Sequence, residues 1–293
     1  YDGTEDYPYR MSDSLASWFK LLRWGPLRRL IYGIIYAFEI LLVRHFVNRV
    51  FTVSVMGNML FRRYKQAKDK VAVVRNVPEA EIPIDEDLKR ELLRKYAGHK
   101  LVIYVGAVNR SRGCLAMVKA MEKVRDRVPN AKLLLVGPVT EEEFMKEALE
   151  FIGEHELEEH VEFVGLVPYS KIHTYLCVSD VAVALYQPDL QYMMTHDPTK
   201  VFLYMRAGVP VVASDFPGMR AVMEEVKCGL LVDPTDVDAI ARAIITLLED
   251  AELAKRLGEN GRRAILSKYN ITLEGEKVLN AYEEALGRRL KRC

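Results

Sequence analysis

Between Leu101 and Val232 the chain alternates short apolar runs with amphipathic stretches, and the first three runs end on glycine. The runs are Leu101–Val105 before Gly106, Lys132–Val136 before Gly137, Val161–Val164 before Gly165, Val181–Leu185, Val209–Ala213 and Leu230–Val232. Between the first two, Cys114–Val128 places Leu115, Val118, Met121 and Val124 at helical spacing. Glu141–Gly153, Ser170–Val178 and Gly218–Glu225 read as further helices. Apolar runs that alternate with helices fit parallel strands buried on both faces. The predicted class is α/β, a doubly wound parallel sheet of about six strands. Ligands of such sheets collect at the carboxyl ends of the strands, where Gly106, Gly137 and Gly165 fall.

Two basic turns sit at those ends. Gly106-Ala107-Val108-Asn109-Arg110-Ser111-Arg112-Gly113 joins the first strand to its helix. The second turn leads into His196-Asp197-Pro198-Thr199-Lys200, which opens a helix that Gly208 is placed to stop. Asp197 suits the capping position and Pro198 the first turn. The amides of a helix start lack intrahelical partners and attract anions, and Lys200 adds a full charge there. Taken singly, Arg112 and Lys200 read as solvated cations. As a pair at equivalent strand ends, with two helix starts, they form a candidate diphosphate clamp.

Other chemistries find little support. There is no HExxH, GxSxG or Walker A motif and no Cys/His metal cluster. His45, His99, His155, His160 and His173 are scattered and expected at surface or capping positions. Cys114, Cys177, Cys228 and Cys293 are far apart and read as free thiols in a reducing compartment, two or three of them buried. A formal net charge of +1 argues against a general nucleic-acid binder. Charged residues at 28% beside three glutamines give a thermophile-like composition.

Before the alternation the chain is less regular. Tyr1–Tyr9 reads as a loop leaving a strand end. In Ser17–Arg29 aromatics and cations interleave, and Leu30–Val43 is almost wholly apolar. Its length is below the roughly 20 residues a bilayer span needs, so it reads as a buried core helix. The alternative is an interfacial helix, residues 18–43 resting on an anionic membrane surface. Val50–Val55 and Val71–Arg75 read as strands, Met59–Ala67 as a short basic helix, and Glu79–Asp87 as linker. After the sheet, Asp236–Glu249, Ala251–Ser267 and a last segment from Thr272 are helical.

The ordered phrases Tyr104-Val105-Gly106 with Arg112-Gly113, Leu135-Val136-Gly137, Val161 to Gly165, Val167-Pro168-Tyr169, Ser179 to Val183, Pro198 to Val212 and Gly229 to Val232 resemble the donor-binding half of glycosyltransferase family 4. Tyr1-Asp2 to Glu5, Phe38-Glu39, Val50 to Ser54 and Asn76-Val77-Pro78 resemble the later part of that family's acceptor domain. The resemblance implies a GT-B-like architecture of two Rossmann-like domains. Residues 1–80 would be a partial acceptor-side domain, 81–98 a linker, 99–270 the nucleotide-sugar domain, and 271–293 a C-terminal helix packing back on the first domain. It implies transfer of a sugar from a UDP- or GDP-sugar to an acceptor with retention, without a metal ion or other cofactor. Arg112 and Lys200 would hold the diphosphate, and Gly106, Gly113 and Gly137 would let backbone approach the donor. Val167 and Tyr169 would meet the base, and Pro198 and Thr199 the phosphate and sugar.

The phrases also depart from the family. Ala107 stands where an arginine is usual, Thr4 and Thr195 where a histidine and an acid are common, and Leu203 where a ribose-binding glutamate is usual. A leucine cannot replace those hydrogen bonds. A weak or inactive homologue that binds a nucleotide sugar or a partner protein is therefore the alternative to a working transferase. A nucleotide-sugar epimerase finds no acid/base carboxylate pair. The expected location is cytoplasmic, at the inner membrane face if residues 18–43 are interfacial. The few strands of the first 80 residues predict self-association or an upstream segment that completes them.

Overall fold

The computed structural model describes residues 25–46, 50–52, 70–188 and 199–287. They fall into two compact units, one of residues up to Asn76 together with those from Glu274, the other Val77–Leu273.

In the first unit, α1 spans Gly25–His45, and β1 (Val50–Thr52) pairs in parallel with β2 (Val71–Val73). Residues 1–24 and 53–69, which include the predicted interfacial aromatics and the short basic helix, lie outside the described residues. The helix expected over Leu30–Val43 is present, but its burial is not. Ile34 is 61% and Phe38 59% exposed, and Leu30, Leu41 and Phe46 are exposed with them. Leu30, Ile34, Phe38 and Leu41 recur every three or four residues, so one apolar stripe of the helix faces outward. No helix among the described residues is long and apolar enough to cross a membrane. The part of the last helix that belongs to this unit brings Glu274, whose buried carboxylate accepts from Arg75 N at 3.0 Å and pairs with Lys277 Nζ at 2.6 Å.

The second unit opens with α2 (Glu86–Lys95), capped by Asp85, whose carboxylate accepts from Leu88 N at 3.0 Å. The segment read as a linker thus contains a helix of this unit, with Leu92 and Tyr96 buried in the core. Its apolar residues Leu88, Leu92, Leu93 and Tyr96 do stand at helical spacing, a signal the linker reading passed over among the surrounding charges. Then follow β3 (Lys100–Val105), α3 (Cys114–Arg127), β4 (Ala131–Val136), α4 (Glu142–Glu154), β5 (Val161–Gly165) and α5 (Tyr169–Cys177). β6 (Val181–Ala184), α6 (Thr199–Ala207), β7 (Val211–Ser214), α7 (Pro217–Val226) and β8 (Gly229–Val232) complete the alternation. Helices α8 (Val237–Glu249), α9 (Ala251–Ser267) and α10 (Ile271–Leu286) follow.

All six strands run parallel in the order β5-β4-β3-β6-β7-β8. Alternate residues of each strand serve opposite faces. Val102 and Tyr104 join Met117, Met121, Phe144, Ile240 and Ile244 in one core. Leu101, Ile103 and Val105 join Leu176, Val201, Phe202, Met219 and Tyr269 in the other. The strand order reverses direction between β3 and β6, which is where such sheets open a crevice for ligands.

Candidate functional site

At the crevice the strand ends meet as bare backbone. Gly106, directly after β3, has φ +135°, and a Cβ on it would stand 2.6 Å from Lys200 Cε and 2.9 Å from Lys200 Nζ. Gly137, directly after β4, has φ +144°, and its Cβ would stand 2.0 Å from the Gly106 carbonyl oxygen. Gly113 caps α3 at φ +73°, and a side chain there would run into the Leu185 carbonyl at 1.7 Å. Positive φ and absent space together require glycine at these positions.

Over that floor two cations converge on one tyrosine. The Arg112 guanidinium carbon lies 4.9 Å from the Tyr186 ring centre, and Lys200 Nζ lies 5.1 Å from the same ring. Lys200 Nζ also donates to Tyr186 Oη at 3.1 Å and sits 5.5 Å from the Tyr104 ring. Attraction of a cation to an aromatic face helps to hold both side chains in place. Burial, and then repulsion by Arg112, push the Lys200 ammonium down to about 8. The nearby Cys114 thiol is pushed up to about 12, chiefly by burial, so it offers no counter-charge. Among the described residues no carboxylate pairs with Lys200, while Tyr104 Oη is occupied donating to Ala107 O at 2.8 Å. An arriving anion would restore the protonation of Lys200 and stabilise both cations.

Helix α6 is tied to the sheet one turn beyond Lys200. Tyr204 Oη accepts from Val105 N at 3.1 Å and donates to Val183 O at 3.1 Å. The β3–β6 ladder pairs only Val102 with Val181 and Ile103 with Ala182. The phenol therefore takes over the hydrogen bonding where the two strands part, and it fixes the start of α6 against both.

The structure brings Gly106, Gly113, Arg112, Thr199 and Lys200 to one crevice. Gly137 lies behind, its missing side chain making room for Gly106 backbone rather than opening onto the crevice. Val167 packs on the core, and Tyr169, at the start of α5 after the β5 edge strand, is 62% exposed. Leu203 is half-buried and packs against the core of Val201, Phe202 and Met205. Pro198, His196 and Thr195 lie outside the described residues. Arg110, adjacent in sequence, pairs with Glu147 at 2.5 Å and Glu141 at 3.2 Å and so belongs to an ion network between α3 and α4. The first amides of α3 are partly used, because Cys114 N donates to Asn109 O and Gly113 N to Arg110 O. This turn therefore offers the Arg112 side chain rather than an open row of amides. The sequence reading missed Tyr104 and Tyr186. Both are aromatics at the ends of predicted central strands, a position that could have singled them out.

Comparison with known proteins gives the fold and the family. Over 194 residues the chain is 27% identical to the phosphatidyl-myo-inositol mannosyltransferase of Mycolicibacterium smegmatis, covering 66% of this chain and 47% of that protein. It is 23% identical over 203 residues to the alpha-D-kanosaminyltransferase of Streptomyces kanamyceticus, covering 68% and 50%. The chain thus spans about half the length of the curated relatives it matches. Among solved structures, Anabaena HepE in complex with UDP superposes with a TM-score of 0.72 at 17% identity, covering 89% of this chain and 68% of that one. A glycosyltransferase from Rickettsia africae gives 0.72 at 19% identity, covering 84% and 66%. The α/β, GT-B-like class expected from the sequence is the fold these proteins share. Residues 85–264 match the family described as glycosyl transferases group 1, and the chain belongs to that family.

Proposed function

We propose that residues 99–270 bind a nucleotide diphosphate sugar, and that the protein transfers the sugar to an acceptor with retention of configuration. The observation that carries this reading is the convergence of Arg112 and Lys200 on Tyr186 at the crevice of the sheet. Breaking the bond between sugar and diphosphate leaves negative charge on the departing oxygens. Pre-placed cations in a partly dry site stabilise that charge without reorganising. Arg112 and Lys200 supply the charge that a divalent metal supplies in other transferases, so the reading is metal-independent. Lys200 also has a proton affinity suited to strengthening its hold as charge develops.

The HepE structure with UDP supports a uridine donor, while a mycobacterial relative named as GDP-mannose-dependent supports a guanosine one. Val167 and Tyr169 are the residues we place against the base, and Thr199 near phosphate and sugar. A second reading, donor binding without efficient turnover, is favoured by Leu203, which packs on the core where the family's glutamate would reach ribose.

The experiment is a thermal-shift panel of UDP, GDP and ADP sugars, followed by a hydrolysis and transfer assay on any that stabilise the protein. Stabilisation with turnover supports transfer, and stabilisation without turnover supports the second reading. A panel in which no nucleotide raises the melting temperature refutes both.

A further inference from the structure

A second basic cavity lies in the same unit at the opposite edge of the sheet. Its volume is about 410 Å³, and it is lined by Glu81, Ile82, Ile84, Lys89, His173, Cys177, Ala207 and Arg262. Lys200 opens α6 at the carboxyl edge of the strands, whereas Ala207 ends α6 at the amino edge. The same holds for α5, whose C-terminal turn carries His173 and Cys177. The cavity is therefore distinct from the crevice of Arg112 and Lys200.

The chemistry of its walls is one-sided. Arg206, next to the lining residue Ala207, is 1% exposed, and its Nε and Nη1 have no hydrogen-bond partner among the described residues. Its backbone carbonyl accepts from Arg262 Nη1 at 2.7 Å, which brings the second guanidinium to the same place. That contact depends on how closely α9 rides on α6: a Cβ on Gly258 would stand 2.0 Å from the Gly208 carbonyl oxygen. His173 is 3% exposed, with its Nδ1 unpartnered and its Nε2 3.7 Å from Cys177 Sγ. Burial, then the charges of Arg206 and Arg262, push its imidazole down to about 4, so near neutral pH the ring is uncharged and one nitrogen carries hydrogen. Lys89, 4.0 Å from Glu86, adds a further cation, and the exposed Glu81 is the one acid among the described residues that line the cavity.

Among the described residues Arg206 has no counter-charge, and a buried guanidinium in that position is among the more destabilising arrangements a fold can hold. Two isoleucines and an alanine give the cavity an apolar side, and its volume is that of a small-molecule pocket. We propose that this cavity binds a small organic anion, its acidic group held by Lys89, Arg262 and His173 with Arg206 as the standing charge behind, and its apolar part against Ile82 and Ile84. The acidic group is a phosphomonoester or a carboxylate. The site stands apart from the donor crevice, so one can fail without the other.

Titration calorimetry on the full chain with phenyl phosphate and with benzoate distinguishes the two anions. At least one is expected to bind, with affinity falling tenfold or more in Arg262→Ala and in Lys89→Ala and unchanged in Arg112→Ala. Lys89→Ala keeps the test open if Arg262→Ala fails to fold, because Lys89 lies near the protein surface. Saturation should also move the ring resonances of His173 in the wild type and in Arg112→Ala. The proposal is overturned if neither probe binds. Retained affinity in both cavity variants, or loss of binding in Arg112→Ala, overturns it as well, the last placing the probe in the donor crevice.

Discussion

Replacing Lys200 with methionine should abolish a proton uptake that accompanies nucleotide binding. In the free protein Lys200 is held down to about 8 by burial and by Arg112. At pH 8 roughly half of the molecules therefore carry a neutral amine. A diphosphate against Nζ removes the reason for that depression and returns the group to its charged form. Binding at pH 8 should then take up about 0.5 proton, and at pH 6, where the amine is already charged, about none. Three described groups near Nζ do not contribute: Cys114 is held up near 12, Tyr104 is raised further by burial, and Arg112 is always charged. Calorimetry of UDP-sugar and GDP-sugar binding, whose diphosphate is esterified at both ends and so lacks the phosphate proton that titrates at about pH 6, reads the proton count directly in buffers of different ionisation enthalpy. Equal uptake at both pH values, or uptake that persists in Lys200→Met, would refute the reasoning, because the proton would have to come from elsewhere.

The remaining expectations concern the same unit. Arg112→Ala and Lys200→Ala should each weaken nucleotide-diphosphate binding tenfold or more, since a charge-assisted hydrogen bond contributes about 1.5–3 kcal/mol; calorimetry on the two variants checks this. Because the folded-state value for Lys200 lies below its unfolded value of 10.5, its contribution is most favourable above that pH and is lost as pH falls through about 8. Denaturant titrations of Lys200→Met should accordingly show a gain of up to about 3 kcal/mol near pH 7 that shrinks as pH rises to 10. Gly113→Ala should lower stability by more than about 1 kcal/mol, as its Cβ meets the Leu185 carbonyl and its φ is positive. Gly153→Ala, within α4 and with nothing near its Cβ, should raise stability by about 0.5–1 kcal/mol; parallel urea curves compare the two. Leu203→Glu should lower the melting temperature by roughly 2–4 °C through lost packing. If the added carboxylate reaches ribose, nucleotide should restore more stability than it does in the wild type.

The sheet was legible because its strands are short, mostly apolar runs, with Lys132 and Glu162 as the charged residues inside β4 and β5, each closed by a glycine or a turn. Lys200 and Arg112 were legible for a related reason: strand order places both turns at one edge. What stayed hidden depends on neighbours distant in sequence. His173 was expected at the surface, yet it is buried because Arg206 and Arg262, from α6 and α9, close over α5. Arg110 and Arg112 are indistinguishable in the turn, and only the fold shows that Arg110 pairs with Glu141 and Glu147 while Arg112 lies over the Tyr186 ring. The exposure of Ile34 and Phe38 is equally a matter of what lies beside the helix, which apolar content cannot report. Residues 189–198, where the Asp197 and Pro198 readings fall, lie outside the described residues.

The Tyr204 phenol has a mechanical meaning. A sheet whose halves diverge at its middle has a natural line of shear between β3 and β6, and any sliding there would carry the ammonium group on α6 away from the glycine floor. The buried hydroxyl, bonded at once to Val105 and Val183, works as a rivet across that line. A Tyr204→Phe protein keeps the ring and loses the rivet, leaving the Val105 amide unanswered. The Lys200 end of α6 is thereby set in position before any ligand arrives, so the anion binding proposed there would spend little of its free energy on arranging it.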